Sequence, residues 1–138
     1  MNLEIQLKKG IGDIFFGSTI EEITKKMGSP DEVEDIGEDI DYPTTILHYH
    51  DIGLSLFFDT QDQSQLTCID VDSDNVEVFG QKIIGLTQRD IELLMKKNKI
   101  FDITKEEEDW GETRISFEDY SVDFYFIDNE LASITFGK

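Results

Sequence analysis

Gly12-Asp13-Ile14-Phe15-Phe16-Gly17-Ser18-Thr19-Ile20-Glu21-Glu22-Ile23 is answered 68 residues later by Gly80-Gln81-Lys82-Ile83-Ile84-Gly85-Leu86-Thr87-Gln88-Arg89-Asp90-Ile91, with no gap between the two readings. The same shift pairs Met27 with Met95, Thr45 with Thr113, Tyr49 with Phe117 and Asp51 with Asp119. It goes on to pair Leu54 with Val122, Leu56 with Phe124 and Phe58 with Phe126. An internal repeat constrains architecture before any residue is given a task, because each copy must bury its apolar face against the other. The expected organisation is one domain spanning residues 1–138, made of two repeats at about 11–74 and 79–138.

Each repeat opens with a helix signal. Ser18 or Thr19 serves as N-cap, and Glu21 and Glu22 fall in the first turn, where carboxylates complement the helix dipole. Ile20, Ile23 and Met27 share one helical face, and Gly28 and Pro30 end the run. Thr87, Asp90, Ile91, Leu94 and Met95 repeat the pattern, which stops at Asn98. Ile5 and Leu7 alternate with polar neighbours and predict a short strand.

Three strands follow each helix. In the first repeat they run through Leu47 and Tyr49, through Leu54, Leu56 and Phe58, and from Leu66 to Val71. In the second they run through Ile115 and Phe117, through Val122, Phe124 and Phe126, and from Leu131 to Phe136, with the last hairpin shortened to Asp128-Asn129-Glu130. Alternation of this kind predicts antiparallel strands with one face on a core and one toward solvent. The fold class expected is α+β, in which two helix-plus-antiparallel-sheet repeats form one larger sheet with both helices on one face.

The run Phe16-Gly17-Ser18-Thr19-Ile20-Glu21-Glu22-Ile23 through Met27-Gly28-Ser29-Pro30 resembles the pattern G-x-T-x-x-E-[IV]-x-x-x-x-G-x-P of the SmpA/OmlA and beta-lactamase-inhibitor-like repeat. The second copy keeps Gly85, Thr87 and Asp90-Ile91 without the Gly-x-Pro. The resemblance covers residue 11 to the end as two tandem units. It implies a beta-lactamase-inhibitor-like fold and a manner of use. Such inhibitors clasp a partner enzyme on the exposed face of a sheet built from both repeats.

Thirty-one acidic residues face 12 basic ones, for a net charge of −19. That field repels phosphate backbones and anionic lipid, so neither nucleic acid nor membrane is an expected partner. It attracts cations and basic proteins and speeds their encounter. Residues 1–74 carry 17 acids and 4 bases, so the first half is the more negative and meets a basic partner first. Cys68 is the single cysteine and forms no internal disulfide. The N-terminus lacks a basic start followed by an apolar run, and no stretch reaches membrane-spanning length. A cytoplasmic location is the expectation, with oligomeric state left open.

No nucleophile–base pairing and no glycine-rich phosphate loop is legible, which points away from an enzyme and from a bound cofactor. His48 and His50, two apart on a strand, face one side and could hold zinc with Asp59, although no further His or Cys joins them. Asp70-Val71-Asp72-Ser73-Asp74-Asn75 resembles the start of a calcium loop, but Asn75 and Gln81 stand where Gly and Glu are required.

The surface signals carry more. Alternation puts Phe57 on the open side of the sheet, Tyr125 is its counterpart, and Asp123 and Glu118 share that face, with His50 on the corresponding side of the first copy. Two acidic runs lie between helix and first long strand. One contains Asp35, Glu38, Asp39 and Asp41 and leads to Tyr42; the other contains Glu107, Glu108 and Asp109 beside Trp110. Both runs read as solvated loops or as partner contacts with an aromatic anchor. The expected function is a non-enzymatic inhibitor that binds a basic protein, in concrete form an immunity protein against a basic toxin or nuclease. The alternatives are an envelope-type assembly module and a small-ligand or calcium-binding domain.

Overall fold

The computed structural model describes residues 2–37, 43–59, 64–108 and 110–138. Its architecture is α+β, with two sheets and two α-helices among the described residues. The larger sheet has eight strands, every neighbouring pair antiparallel. One half holds β4 (Glu32–Ile36), β5 (Thr44–Tyr49), β6 (Leu54–Asp59) and β7 (Gln65–Val71). The other holds β10 (Thr104–Glu107), β11 (Glu112–Phe117), β12 (Val122–Ile127) and β13 (Glu130–Gly137). The halves join where β7 meets β13, so the order is β10-β11-β12-β13-β7-β6-β5-β4.

The smaller sheet has five strands in the order β3-β2-β1-β8-β9. It combines β1 (Glu4–Gln6), β2 (Gly10–Ile11) and β3 (Ile14–Phe15) with β8 (Glu77–Val78) and β9 (Gln81–Lys82). β1 pairs with β8 in parallel and ties the N-terminus to the segment between the two halves of the large sheet. At the β2 turn only Gly fits: Gly10 has φ 151°, and a Cβ there would lie 1.9 Å from the Ile14 carbonyl oxygen.

Helices α1 (Ile20–Met27) and α2 (Gln88–Lys97) start on matching capping boxes. Thr19 Oγ1 accepts from the Glu22 amide at 3.1 Å, and the Thr19 amide donates to Glu22 Oε1 at 3.2 Å. Thr87 Oγ1 accepts from the Asp90 amide at 3.2 Å, and the Thr87 amide donates to Asp90 Oδ2 at 3.1 Å. These bonds satisfy amides that a helix start otherwise leaves unpaired.

One continuous core lies between the layers. Ile23, Ile91 and Met95 of the helices and Ile5, Ile11, Ile14 and Val78 of the small sheet pack on one face of the large sheet. From the large sheet come Leu47, Leu54, Leu56, Phe58, Leu66, Ile69 and Val71 of one half, and Ile115, Phe117, Val122, Phe124, Phe126, Leu131, Ile134 and Phe136 of the other. Ten or more fully buried aromatic and aliphatic side chains supply the dominant favourable term of folding.

Several local features recur at a fixed offset. Gly17 and Gly85 have φ of 91° and 89°. One-turn 3-10 helices occupy His50–Ile52 and Glu118–Tyr120, each closed by a left-handed residue, Gly53 and Ser121. The ladder shifts register between Phe57 and Phe58, and again between Tyr125 and Phe126. Gly17 donates to the Leu66 carbonyl at 2.9 Å and Gly85 to the Leu131 carbonyl at 2.9 Å, the donors at that offset and the acceptors three residues short of it, as the shortened last hairpin requires. The acidic runs depart from expectation. Residues 32–36 and 104–107, expected as loop, are the two outermost strands of the large sheet. An edge strand has one hydrogen-bonded neighbour and no wall beyond it, so carboxylates sit there without desolvation.

Candidate functional site: the face of the large sheet away from the helices

The ladder registers define what this face presents. Thr44, Ile46 and His48 of β5 stand opposite Asp59, Phe57 and Ser55 of β6. Phe57 and Ser55 in turn stand opposite Cys68 and Asp70 of β7. On the other half, Arg114 and Ser116 of β11 face Tyr125 and Asp123 of β12, which face Ser133 and Thr135 of β13. Thr135 lies opposite Asp70, which joins the halves into one surface. The clustered core lies on the other side of the sheet.

Phe57 and Tyr125 are therefore both on the uncovered face, half-buried among their strand neighbours. Ile46, beside Phe57, keeps only 3% of its surface exposed, so the first half of the face has an apolar centre. Tyr125 sits against Arg114, Thr135 and Asp123. Burial and the Asp123 carboxylate push its phenol above the usual range, and hydrogen bonds with Arg114 and Thr135 work against that rise. Glu106 binds Arg114 across the β10–β11 ladder, which raises the guanidinium further. Asp59 accepts from Thr44 Oγ1 and from Thr67 Oγ1, each at 2.8 Å.

Burial shifts the titration of two groups between the aromatics. Burial, followed by Asp70, pushes the Cys68 thiol up to about 11. Burial also raises the Asp70 carboxyl, only partly offset by Thr135, whose hydroxyl donates to it at 3.3 Å.

The remaining candidates separate. Asp123 lies on the face with Tyr125. Trp110 stands at its margin in the β10–β11 connection, 72% exposed, its indole N–H donating to Glu112 Oε2 at 3.2 Å. Glu118 is exposed in the turn after β11. His50 is not on a strand but opens the 3-10 turn after β5. Its ring nevertheless stacks on His48, with centroids 5.5 Å apart and planes 7° apart. Asp35 and Glu107 belong to the edge strands but fall on the helix side of the sheet: Asp35 pairs with Thr45 and Glu107 with Thr113, both in line with core residues. Asp35 accepts from Thr45 Oγ1 at 2.8 Å. Glu108 follows β10, its amide bonded to the Glu112 carbonyl at 2.7 Å. Tyr42, Glu38, Asp39, Asp41 and Asp109 lie outside the described residues.

The expected third partner of the histidines is also replaced. Asp59 is at the far end of β6 from His48, and Glu32 and Glu34 of β4 stand beside His48 instead. The β4–β5 register, which no local pattern announces, makes that juxtaposition. The Asp70–Asn75 segment is no calcium loop in outline: Asp70 is within strand β7, and β8 and β9 occupy the positions where the loop would continue. A separate open cleft of about 790 Å³ lies at the end of α1, lined among others by Asp13, Lys26, Asp31, Tyr49 and Asp51.

The fold has relatives among solved structures. The uncharacterized protein YfeY from Escherichia coli is similar over 100% of both chains, with a TM-score of 0.61 and 9% identity. An extracellular protein containing an SCP domain from Bacillus anthracis str. Ames is similar over 97% of this chain and 50% of its own, with a TM-score of 0.56 and 16% identity. The chain thus spans about half the length of that second protein. At these identities the likeness is one of fold. No protein-family model matches the sequence. Among curated proteins no sequence matches it either. No described helix is long and apolar enough to cross a membrane.

Proposed function

We propose that the chain is a non-enzymatic, acidic protein-binding inhibitor that docks a basic partner on the uncovered face of its eight-stranded sheet. The observation that carries this reading is the composition of that face. Phe57 and Tyr125 lie on the third strands from the two edges, Glu32, Glu34 and Glu106 line the edge strands, and Asp59, Asp70 and Asp123, with Arg114 the one cation named on the face, lie between. Aromatic anchors inside a charged border divide the work of an interface: the anchors supply affinity, and the charges supply encounter rate and register. A net charge of −19 makes the fitting partner a basic protein. An immunity protein that neutralises a basic toxin or nuclease in the cytoplasm is the concrete form.

The architecture proposed beneath it is an internal duplication of the SmpA/OmlA and beta-lactamase-inhibitor-like kind. The recurring capping boxes, 3-10 turns and ladder shifts support it. So does the seam, where Ile134 pairs with Val71 and Phe136 with Ile69; Ile134 and Phe136 hold in one half the places that Ile69 and Val71 hold in the other. A two-fold arrangement of this sort places Phe57 and Tyr125 symmetrically about the seam. The cleft lined by Lys26 and three aspartates favours a second reading, a site for a small cationic ligand.

The test is the association rate of the captured partner against ionic strength. The reading requires a rate that falls steeply between low salt and about 0.15 M, where the Debye length shrinks to about 8 Å. A rate indifferent to salt overturns steering by this surface.

A further inference from the structure

We propose that Glu32, Glu34 and His48 form a binding site for a divalent transition-metal ion, best matched by zinc, on the outer edge of the large sheet. The three residues come from adjacent strands. Glu32 and Glu34 alternate along β4 and so share a side, and Glu32 is paired directly with His48 of β5. His48 Nε2 lies 3.0 Å from Glu34 Oε1 and 4.0 Å from Glu32 Oε2. One donor atom from each of the three residues falls within 4.8 Å of the other two. Zinc–ligand bonds of about 2.0–2.2 Å at tetrahedral angles place donor atoms roughly 3.3–3.5 Å apart. The glutamate side chains are half exposed, so small rotations close the set onto that spacing.

The histidine is held as a ligand needs to be. Its Nδ1 lies 2.8 Å from Ser55 Oγ, and its side chain is only 17% exposed. The Ser55 contact orients the ring and leaves Nε2 directed at Glu34 and Glu32. When Nδ1–H donates to Ser55, the Nε2 lone pair points at two carboxylates. The His50 ring lies parallel to His48 at 5.5 Å, so its in-plane lone pairs do not converge on the same point. It walls one side of the site and leaves the fourth position to water or to a partner's side chain.

Imidazole with carboxylates selects zinc and its neighbours over calcium, which takes six to eight oxygen ligands. The site does not depend on the docking reading, because it is built from the chain's own residues and is tested without a partner.

The experiment is titration calorimetry of the full chain with zinc chloride alone, at about 0.15 M salt, alongside calcium chloride. The expected result is saturable binding of one zinc per chain in the micromolar range, with calcium far weaker. His48→Asn and Glu34→Gln should each weaken zinc binding more than tenfold, and Ser55→Ala by about tenfold. Glu34 is half exposed, so its variant should fold as the parent does; an unchanged far-UV spectrum checks this. Nitrogen-15 spectra of the imidazoles give a second readout: zinc should shift the Nε2 resonance of His48. Absence of saturable heat up to millimolar zinc overturns the proposal. So do undiminished binding by both variants, the mark of an adventitious ion only, and a His48 resonance that does not move.

Discussion

Phe57 and Phe58 are chain neighbours with opposite fates, and truncating each in turn tests which side of the sheet is free. Phe58 is 0% exposed and belongs to the core, as is Phe126 in the other half. Phe57 and Tyr125 stand on the far side of the sheet and keep part of their surface in solvent. A fully buried Phe→Ala change loses the transfer energy of the ring and leaves a cavity, together about 3–5 kcal/mol. A partly exposed ring on the face away from the clustered core leaves no closed cavity. Phe57→Ala should therefore cost only about 1 kcal/mol, the part of its area hidden by strand neighbours. The same contrast is expected for Phe126→Ala against Tyr125→Ala. Equilibrium urea unfolding followed by far-UV circular dichroism measures the difference. A domain of ordinary stability, about 5–15 kcal/mol, has little margin after the core change, so Phe58→Leu serves as a milder companion expected to cost about 1–2 kcal/mol. Equal losses for Phe57→Ala and Phe58→Ala would refute the assignment of faces, and with it the docking surface.

Thr19→Ala and Thr87→Ala each remove the side-chain half of a capping box and should cost about 1 kcal/mol, with the double variant close to additive because the caps share no partner; a thermal melt in which one substitution is silent contradicts their equivalence. Burial lifts the Asp70 carboxyl, so the folded state holds that proton more tightly than the unfolded chain. The associated stability is present below the ordinary value of 3.8 and is lost as pH rises through the raised folded value. Asp70→Asn should therefore raise Tm at pH 7 and leave it unchanged near pH 3, and a lower Tm at pH 7 counts against the assignment. With its thiol near 11 instead of 9, Cys68 should react with iodoacetamide at pH 8 about a hundredfold more slowly than an exposed cysteine, and reach the exposed rate in denaturant. Fast labelling of the native protein contradicts its placement between Phe57 and the acids.

What the sequence made legible was local. A Ser or Thr before acids and an apolar helical face marked both helix starts, and the structure caps them at Thr19 and Thr87 with capping boxes that the sequence reading had not named. Strict alternation from Leu54 to Phe58 and from Val122 to Phe126 separates core from open face, and it puts Phe57 and Tyr125 where they stand. The edge strands were opaque because periphery erases the signal. On β4 the inward position Val33 is still 57% exposed and the next inward position is Asp35, so there was no apolar alternation to find. Of the small sheet only the strand at Ile5 was legible, and it ends at Gln6, before Leu7. The sheet's strands are two or three residues long, and β1 finds β8 across more than seventy residues of chain. The Glu32–Glu34–His48 cluster depends on a register between strands, which a linear pattern does not state.

The most direct measurement uses paired baits, the wild-type chain and a Phe57→Ala/Tyr125→Ala double variant shown by its melt to be fully folded at the assay temperature. Each is incubated with extract of the native cell, and bound proteins are quantified by mass spectrometry. The expected result is a basic protein held by the first bait and at least tenfold depleted on the second. Retention of the same partner equally by both would mean that binding, wherever it occurs, does not run through the uncovered face.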